Sequence, residues 1–347
     1  MKKSFKLSIV MLIALAVVLA GCGNKSNNSG SSNASANTGS NAAPESNIKI
    51  GMVTDVGGVN DKSFNQSAWE GLSSMKDVKV EYLQSTKPDD YETNLNKFVK
   101  GGYALTWGIG MNLGDAIGTV AGQNPDSKLA IIDATVDQPN VKSVTFAENE
   151  GSFLVGVVAG LTTKTNKIGF VGGMKIPVIE RFEAGFKAGI AAVNPKAQVL
   201  VNYTGAFDKP DLGKTAAATY YNGGADIIFQ AAGATGTGVF NEATARVKSG
   251  QKVWVIGVDK DQSLEFGDEV TLTSMVKRVD EAVKRVSEEV VSGTFKGGSE
   301  VLGLKENGVG IADTSSKNVP ADVLAKVKEY EQKIISGEIK VPATVSQ

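Results

Sequence analysis

From residue 48 onward, short β-rich runs alternate with amphipathic helical segments, and at residue 167 the alternation starts over. The first set reads as strand Ile48–Asp55, helix Ser63–Met75, strand Lys79–Gln84, helix Tyr91–Lys100, strand Leu105–Gly108 and a helix around Asp115–Gly122. Strands Leu129–Asp133 and Ser143–Phe146 follow, then helix Glu148–Leu161, whose Gly and Ala content suits close packing. The second set runs strand Lys167–Val171, helix Ile179–Ala192, strand Val199–Tyr203, helix Gly213–Tyr221, strand Asp226–Ala231, helix Val239–Lys248 and strand Val253–Val258. Strand Val270–Met275 and helices Val279–Val291 and Ala321–Ile335 complete it. Phe182, Phe186 and Ile190 at i, i+4, i+8 mark one helix face. Strand–helix alternation demands a parallel sheet with crossover helices. Two such sets predict an α/β chain of two doubly wound lobes, split near Asn149–Thr165, and about 300 residues exceed what one core usually spans.

The N-terminus is of another kind. Met1-Lys2-Lys3 leads into an apolar run, Leu7 to Leu19, that ends in Leu19-Ala20-Gly21-Cys22. A basic start, a short apolar stretch and small residues before a break describe a secretory signal peptide over residues 1–21. Cys22, the single cysteine, stands at the cleavage point, as in the lipobox of bacterial lipoproteins, where the thiol takes a diacylglyceryl group. An uncleaved anchor helix is the alternative, but the run is short for a membrane span. Gly23 to Ser46 is almost wholly Gly, Ser, Asn, Ala and Thr and reads as a flexible tether, with a reach of roughly 25–30 Å.

Composition removes whole classes of chemistry. There is no histidine, which excludes Ser-His-Asp and Cys-His catalysis and His-ligated metals. With Cys22 lipidated there is no disulfide, thiolate nucleophile or cysteine metal site. The formal charge is −1, and loss of Lys2, Lys3 and Lys6 with the signal leaves −4. Without a basic stripe, nucleic acid is not an expected partner. No cofactor and no metal are expected.

In doubly wound sheets ligands bind beyond the carboxyl ends of the strands. Asp55 ends the first strand and opens Gly57-Gly58-Val59-Asn60-Asp61-Lys62-Ser63-Phe64-Asn65-Gln66. Ser63 with Gln66 has the form of a capping box, and Phe64 and Asn65 sit where a helix start would face the mouth. Asp133 and Asp259 end two further strands. Any one of these aspartates alone reads as a cap or a loop ion pair; three together favour a shared cleft. Gly233-Ala234-Thr235-Gly236 lacks the order of a dinucleotide or P-loop motif and reads as a turn that lets backbone approach a ligand. Phe207 follows a second-lobe strand and alone reads as a lid on a core. Lys277, where the chain crosses between lobes, alone reads as a solvated lysine.

Taken together, the lipobox, Asp55-Val56-Gly57-Gly58, Asp61-Lys62-Ser63-Phe64-Asn65, Gly233-Ala234-Thr235-Gly236, Gly257-Val258-Asp259 and Thr273-Ser274-Met275-Val276-Lys277 resemble the basic membrane protein family. These are substrate-binding lipoproteins of nucleoside ABC importers, among them the purine nucleoside receptors. The resemblance implies a type I periplasmic-binding-protein fold with a hinged central cleft. It places residues 47–148 plus about 275–300 in lobe 1, and 149–274 plus about 301–347 in lobe 2. It implies that a nucleobase stacks between Phe64 and Phe207, with Phe182 the competitor for the second ring, and that Asn65 and Asp133 bond the base edge. Asp55, Asp259, Lys277 and the Gly233 backbone would hold the ribose. It further implies a monomer on the extracytoplasmic face of the cell membrane, anchored through Cys22, whose partners are a purine nucleoside (guanosine, inosine, adenosine) and a permease with its ATPase. No bond is made or broken in this reading. Two rivals are a sensor of the same fold for a sugar or signalling molecule, and a nucleoside hydrolase, which would need a calcium-binding carboxylate run that the sequence lacks.

Overall fold

The computed structural model describes residues 48–345. The signal peptide, Cys22 and the tether lie outside the described residues. In chain order the first half carries β1 (Lys49–Thr54), α1 (Phe64–Ser73), β2 (Lys79–Gln84), α2 (Asp90–Lys100), β3 (Leu105–Ile109), α3 (Gly114–Gln123), β4 (Leu129–Ile132) and β5 (Val141–Phe146). Next come α4 (Glu148–Thr162), β6 (Lys167–Gly172), α5 (Pro177–Val193), β7 (Gln198–Tyr203), α6 (Pro210–Asn222), β8 (Ile227–Ala231), α7 (Gly236–Lys248) and β9 (Trp254–Asp259). The chain ends with α8 (Ser263–Phe266), β10 (Thr271–Lys277), α9 (Val279–Val291), β11 (Gly298–Leu302), β12 (Val309–Ile311) and α10 (Ala321–Ile335).

These strands form two six-stranded sheets, ordered β11-β5-β4-β3-β1-β2 and β12-β10-β9-β8-β6-β7. The order 2-1-3-4-5 within each is the doubly wound one, with its switch point beside the first strand. All pairings are parallel except β10–β12, which is antiparallel. β3 and β8 are buried along their whole length, while β2 and β7 at the edges are half exposed. This follows from helices covering both faces of the central strands.

The chain passes between the lobes three times: at Ala147, at Arg278 and along residues 303–308. α9 therefore returns to the first lobe. There the indole nitrogen of buried Trp107 donates to Ser287 Oγ at 3.0 Å, pinning the helix to β3. α4 packs along α5, and glycine makes that approach possible. A Cβ on Gly185 would meet the Asn149 carbonyl oxygen at 2.0 Å, and one on Gly189 that of Phe153 at 2.1 Å.

Three elements go beyond the sequence reading. β11 is a short, largely exposed edge strand beginning at a glycine. β12 has three residues and α8 four, too few for a periodic pattern. α5 and α6 both begin at a proline, earlier than their periodicity indicates. Proline at the first helical turn sacrifices no hydrogen bond, since that N–H has no partner within the helix.

Candidate functional site

A cavity of about 590 Å³, counting its mouth, lies where the carboxyl ends of the two sheets face each other. The first lobe contributes Asp55, Phe64, Asn65 and Asp133, and the second Phe207, Gly233, Asp259 and Lys277. All eight residues singled out in the sequence thus meet around one space.

The loop from Asp55 to Asn65 is fixed by two carboxylates. Asp55 Oδ1 accepts from the Gly57 N–H at 2.9 Å and from Asn65 Nδ2 at 2.8 Å. Asp61 accepts the backbone N–H groups of Ser63 (2.9 Å), Asn65 (2.8 Å) and Gln66 (3.1 Å), and Asn65 Nδ2 at 3.0 Å. Asp61, rather than Ser63, therefore satisfies the open donors of the first turn of α1. Ser63 makes no capping bond; its hydroxyl donates instead to Asp259 in the other lobe. The expected capping box is thus replaced by an aspartate two residues earlier and a lobe-to-lobe contact. With its amide nitrogen occupied by Asp55 and Asp61, buried Asn65 is left with an unpartnered Oδ1. It offers an acceptor.

Positive φ angles mark the strand-end turns of both lobes. After β3 and β8 come Gly110 and Gly233, with φ of 115° and 56°. Asp133 directly follows β4 and Asp259 closes β9, at φ of 72° and 64°. Left-handed backbone is strained for most residues and tolerated by aspartate. Held strain of this kind concentrates at functional sites. Phe64 and Phe207 each lie against one of these glycine turns. A Cβ on Gly110 would stand 3.6 Å from the Phe64 ring, and one on Gly233 3.7 Å from Phe207 Cβ. Phe182 also lines the cavity. It is only 2% exposed and packs on Phe229, with ring centroids 6.2 Å apart, whereas Phe207 is half-buried.

Lys277 is not a solvated lysine: it is 1% exposed. Its ammonium donates to both Asp133 oxygens at 2.7 Å, stands 3.0 Å from Glu148 Oε1, and lies 5.0 Å from the centroid of the Phe64 ring. Glu148 in turn receives Arg181 Nε at 2.5 Å. Sequence reasoning missed Glu148 and Arg181, because only the tertiary fold turns these helix residues inward. Burial opposes the charge of Lys277, but Asp133, Glu148 and Asp259 outweigh it and hold the ammonium above its usual range. Burial raises Asp133 against the pull of Lys277. It also raises Asp55 to about 6, against hydrogen bonds from Asn65 and Gly57, and Asp259 to about 7, against Lys277 and Ser63.

A second set of contacts joins the lobes beside the cavity. Gln262 Nε2 donates to the Lys62 carbonyl at 2.8 Å while its Oε1 accepts from Gln230 at 2.7 Å. Lys260 Nζ bridges Glu70 at 2.7 Å and Glu265 at 3.2 Å, and Gln66 donates to Glu265 at 3.1 Å. The segment from Lys62 to Glu70 in the first lobe thus rests on that from Asp259 to Glu265 in the second. No helix among the described residues is long and apolar enough to cross a membrane.

Comparison with known proteins agrees with this architecture. The family model described as "ABC transporter substrate-binding protein PnrA-like" matches residues 48–345. A Listeria innocua protein named "CD4+ T-cell-stimulating antigen" is 48% identical, covering 98% of this chain and 99% of its own. The "ABC transporter nucleoside-binding protein BmpA" of Lactococcus lactis is 42% identical over 99% of this chain and 100% of its own. Among solved structures, an ABC transporter solute-binding protein from Aeropyrum pernix superposes with a TM-score of 0.79 at 31% identity, covering 85% of this chain and 94% of that one. Matched along the whole two-lobed region by a family that binds substrates rather than transforming them, the chain belongs to the PnrA-like ABC transporter substrate-binding proteins.

Proposed function

We propose that the protein captures purine nucleosides (guanosine, inosine and adenosine) outside the cytoplasm and delivers them to an ABC permease, tethered meanwhile by lipid on Cys22. The observation that carries the reading is the pairing, in one cavity, of an aromatic ring from each lobe with aspartates on strand ends. A flat base has two π faces, and stacking on each is worth about 1–3 kcal/mol. Phe64 supplies one face and Phe207 the other. Phe182 fits the second role less well because its ring belongs to the core. Asn65 Oδ1 and the Asp133 carboxylate accept from the base edge. Asp133 takes the N1–H of guanosine or inosine, a donor that adenosine lacks. Asp55 and Asp259 accept from ribose hydroxyls, for which a carboxylate's paired oxygens are suited. The Gly233 turn admits ligand close to the backbone. Lys277, saturated by carboxylates, acts on the sugar chiefly through the charge it lends its neighbours. The lobes close over the ligand by hinge motion at the three crossings, and the closed form docks on the permease.

The test is titration calorimetry of the mature chain with guanosine and inosine, expected to give micromolar or tighter binding. Absence of heat with every purine nucleoside overturns the proposal. Release of free hypoxanthine from inosine would establish hydrolysis in its place.

A further inference from the structure

Four charged side chains alternate in sign from the cavity into the hinge: Asp133, Lys277, Glu148 and Arg181. Glu148 opens α4 directly after the first crossing, and Lys277 closes β10 directly before the second. Only Asp133 and Lys277 reach the cavity. Glu148 is fully buried, and Arg181 is 23% exposed at the outer end of the row. The ammonium thus lies between a carboxylate that lines the cavity, to which it donates, and one that faces an arginine, with which it pairs by charge alone.

We propose that Glu148 and Arg181, which stand behind the ligand, set which purine the site prefers. This rests on the nucleoside reading above. Both ammonium hydrogen bonds go to Asp133, and Glu148 Oε1, 3.0 Å away without a hydrogen bond, offsets by its negative charge part of the positive charge that Asp133 feels. A less neutralised Asp133 is the stronger acceptor for an N1–H and the more hostile neighbour for the bare N1 lone pair of adenosine. Arg181 works in the opposite sense: its positive charge offsets that of Glu148. Buried charges are screened little by salt or water, so a change two partners away is felt at the base edge. Glu148 and Arg181 are positioning residues with opposite signs of effect.

The experiment measures inosine and adenosine affinities at pH 8 for the unaltered protein and for Glu148→Gln, Arg181→Met and Arg181→Lys, each checked for folding by circular dichroism. Glu148→Gln keeps shape and one acceptor but removes the charge. It should lower the preference for inosine by about three- to tenfold, the span of one weakened hydrogen bond. Arg181→Met should raise that preference, and Arg181→Lys should return it towards the unaltered value. A general packing defect would weaken both ligands alike and could not produce shifts of opposite sign. An unmoved ratio, equal losses for both ligands, or shifts in the same direction overturn the proposal. If Glu148→Gln does not fold, the Arg181→Met and Arg181→Lys pair decides it alone. Failure of the unaltered protein to bind either nucleoside would instead overturn the nucleoside reading itself.

Discussion

Lys260→Met separates the closing of the lobes from the reading of the ligand. Lys260 is anchored to its own lobe by Glu265 at 3.2 Å and reaches across to Glu70 at 2.7 Å. The cross-lobe contact exists only when the lobes meet, so its loss affects the closed form alone. Glu70 is 49% exposed and Lys260 only 16%, which puts the pair near the top of the range for surface ion pairs, about 0.5–1 kcal/mol. On the proposed closure over the ligand, the same energy appears as about a two- to fivefold loss of affinity. The loss should be equal for every ligand, since Lys260 lines no part of the cavity, and should appear as faster dissociation. Stopped-flow release of bound nucleoside at low and high salt is the assay. The difference between unaltered and altered protein should shrink in high salt, because an exposed partner is readily screened. In a double-mutant cycle with Glu70→Gln, the second change should add little once the first is made. A loss that differs between inosine and adenosine, or that persists undiminished in high salt, would refute the latch.

Two further outcomes follow from the cavity walls. A Cβ on Gly173 would stand 2.3 Å from the Phe207 ring, so Gly173→Ala should displace that ring and weaken binding of all purines; Phe64→Ala should do the same, by about ten- to a hundredfold for one lost stacking face. Calorimetry with Gly173→Ala unchanged would remove Phe207 from the site. The pH dependence has a defined sign. Asp55 and Asp259 rise from 3.8 when unfolded to about 6 and about 7 when folded, so the native state holds their protons more tightly. Their stabilising contribution is complete below pH 4 and is lost as pH rises through 6 and 7. Without ligand, the melting temperature should therefore climb on acidification from pH 8 to about 5, while nucleoside affinity falls as the accepting carboxylates are protonated. A ligand-free melting temperature that drops over that interval would contradict the assignment.

The repeated strand–helix pattern is legible because central strands are short, largely apolar runs, Leu129–Ile132 of β4 without a break, and the intervening helices carry one apolar face. The strands that complete each sheet are not. β11 and β12 are short, and β11 keeps most of its side chains in solvent, so no periodicity distinguishes them from loop. The site divides in the same way. Aspartates at strand ends show themselves by position, because topology alone aims strand ends at the cleft. In the sequence Lys277 alone reads as a solvated lysine, and nothing there marks Glu148 or Arg181 as part of a site. Their burial depends on partners far away in sequence: Asp133 lies 144 residues from Lys277. The first turn of α1 shows the limit at short range. Ser63 and Gln66 have the spacing of a cap, but the neighbouring Asp61 reaches the same N–H groups, and the other lobe claims the serine.

Asp259 bears two burdens at once: a left-handed backbone at φ 64° and a buried carboxyl raised to about 7. A selection for heat tolerance alone, with no demand for ligand, should therefore strike this position early. Asp259→Gly relieves the backbone, and Asp259→Asn removes the charge while keeping a side chain that accepts that conformation. Such variants would trade the recognition surface for robustness, the usual exchange between activity and stability. On the proposed nucleoside reading, the residues a thermostability campaign would discard first are those the protein keeps for its ligand.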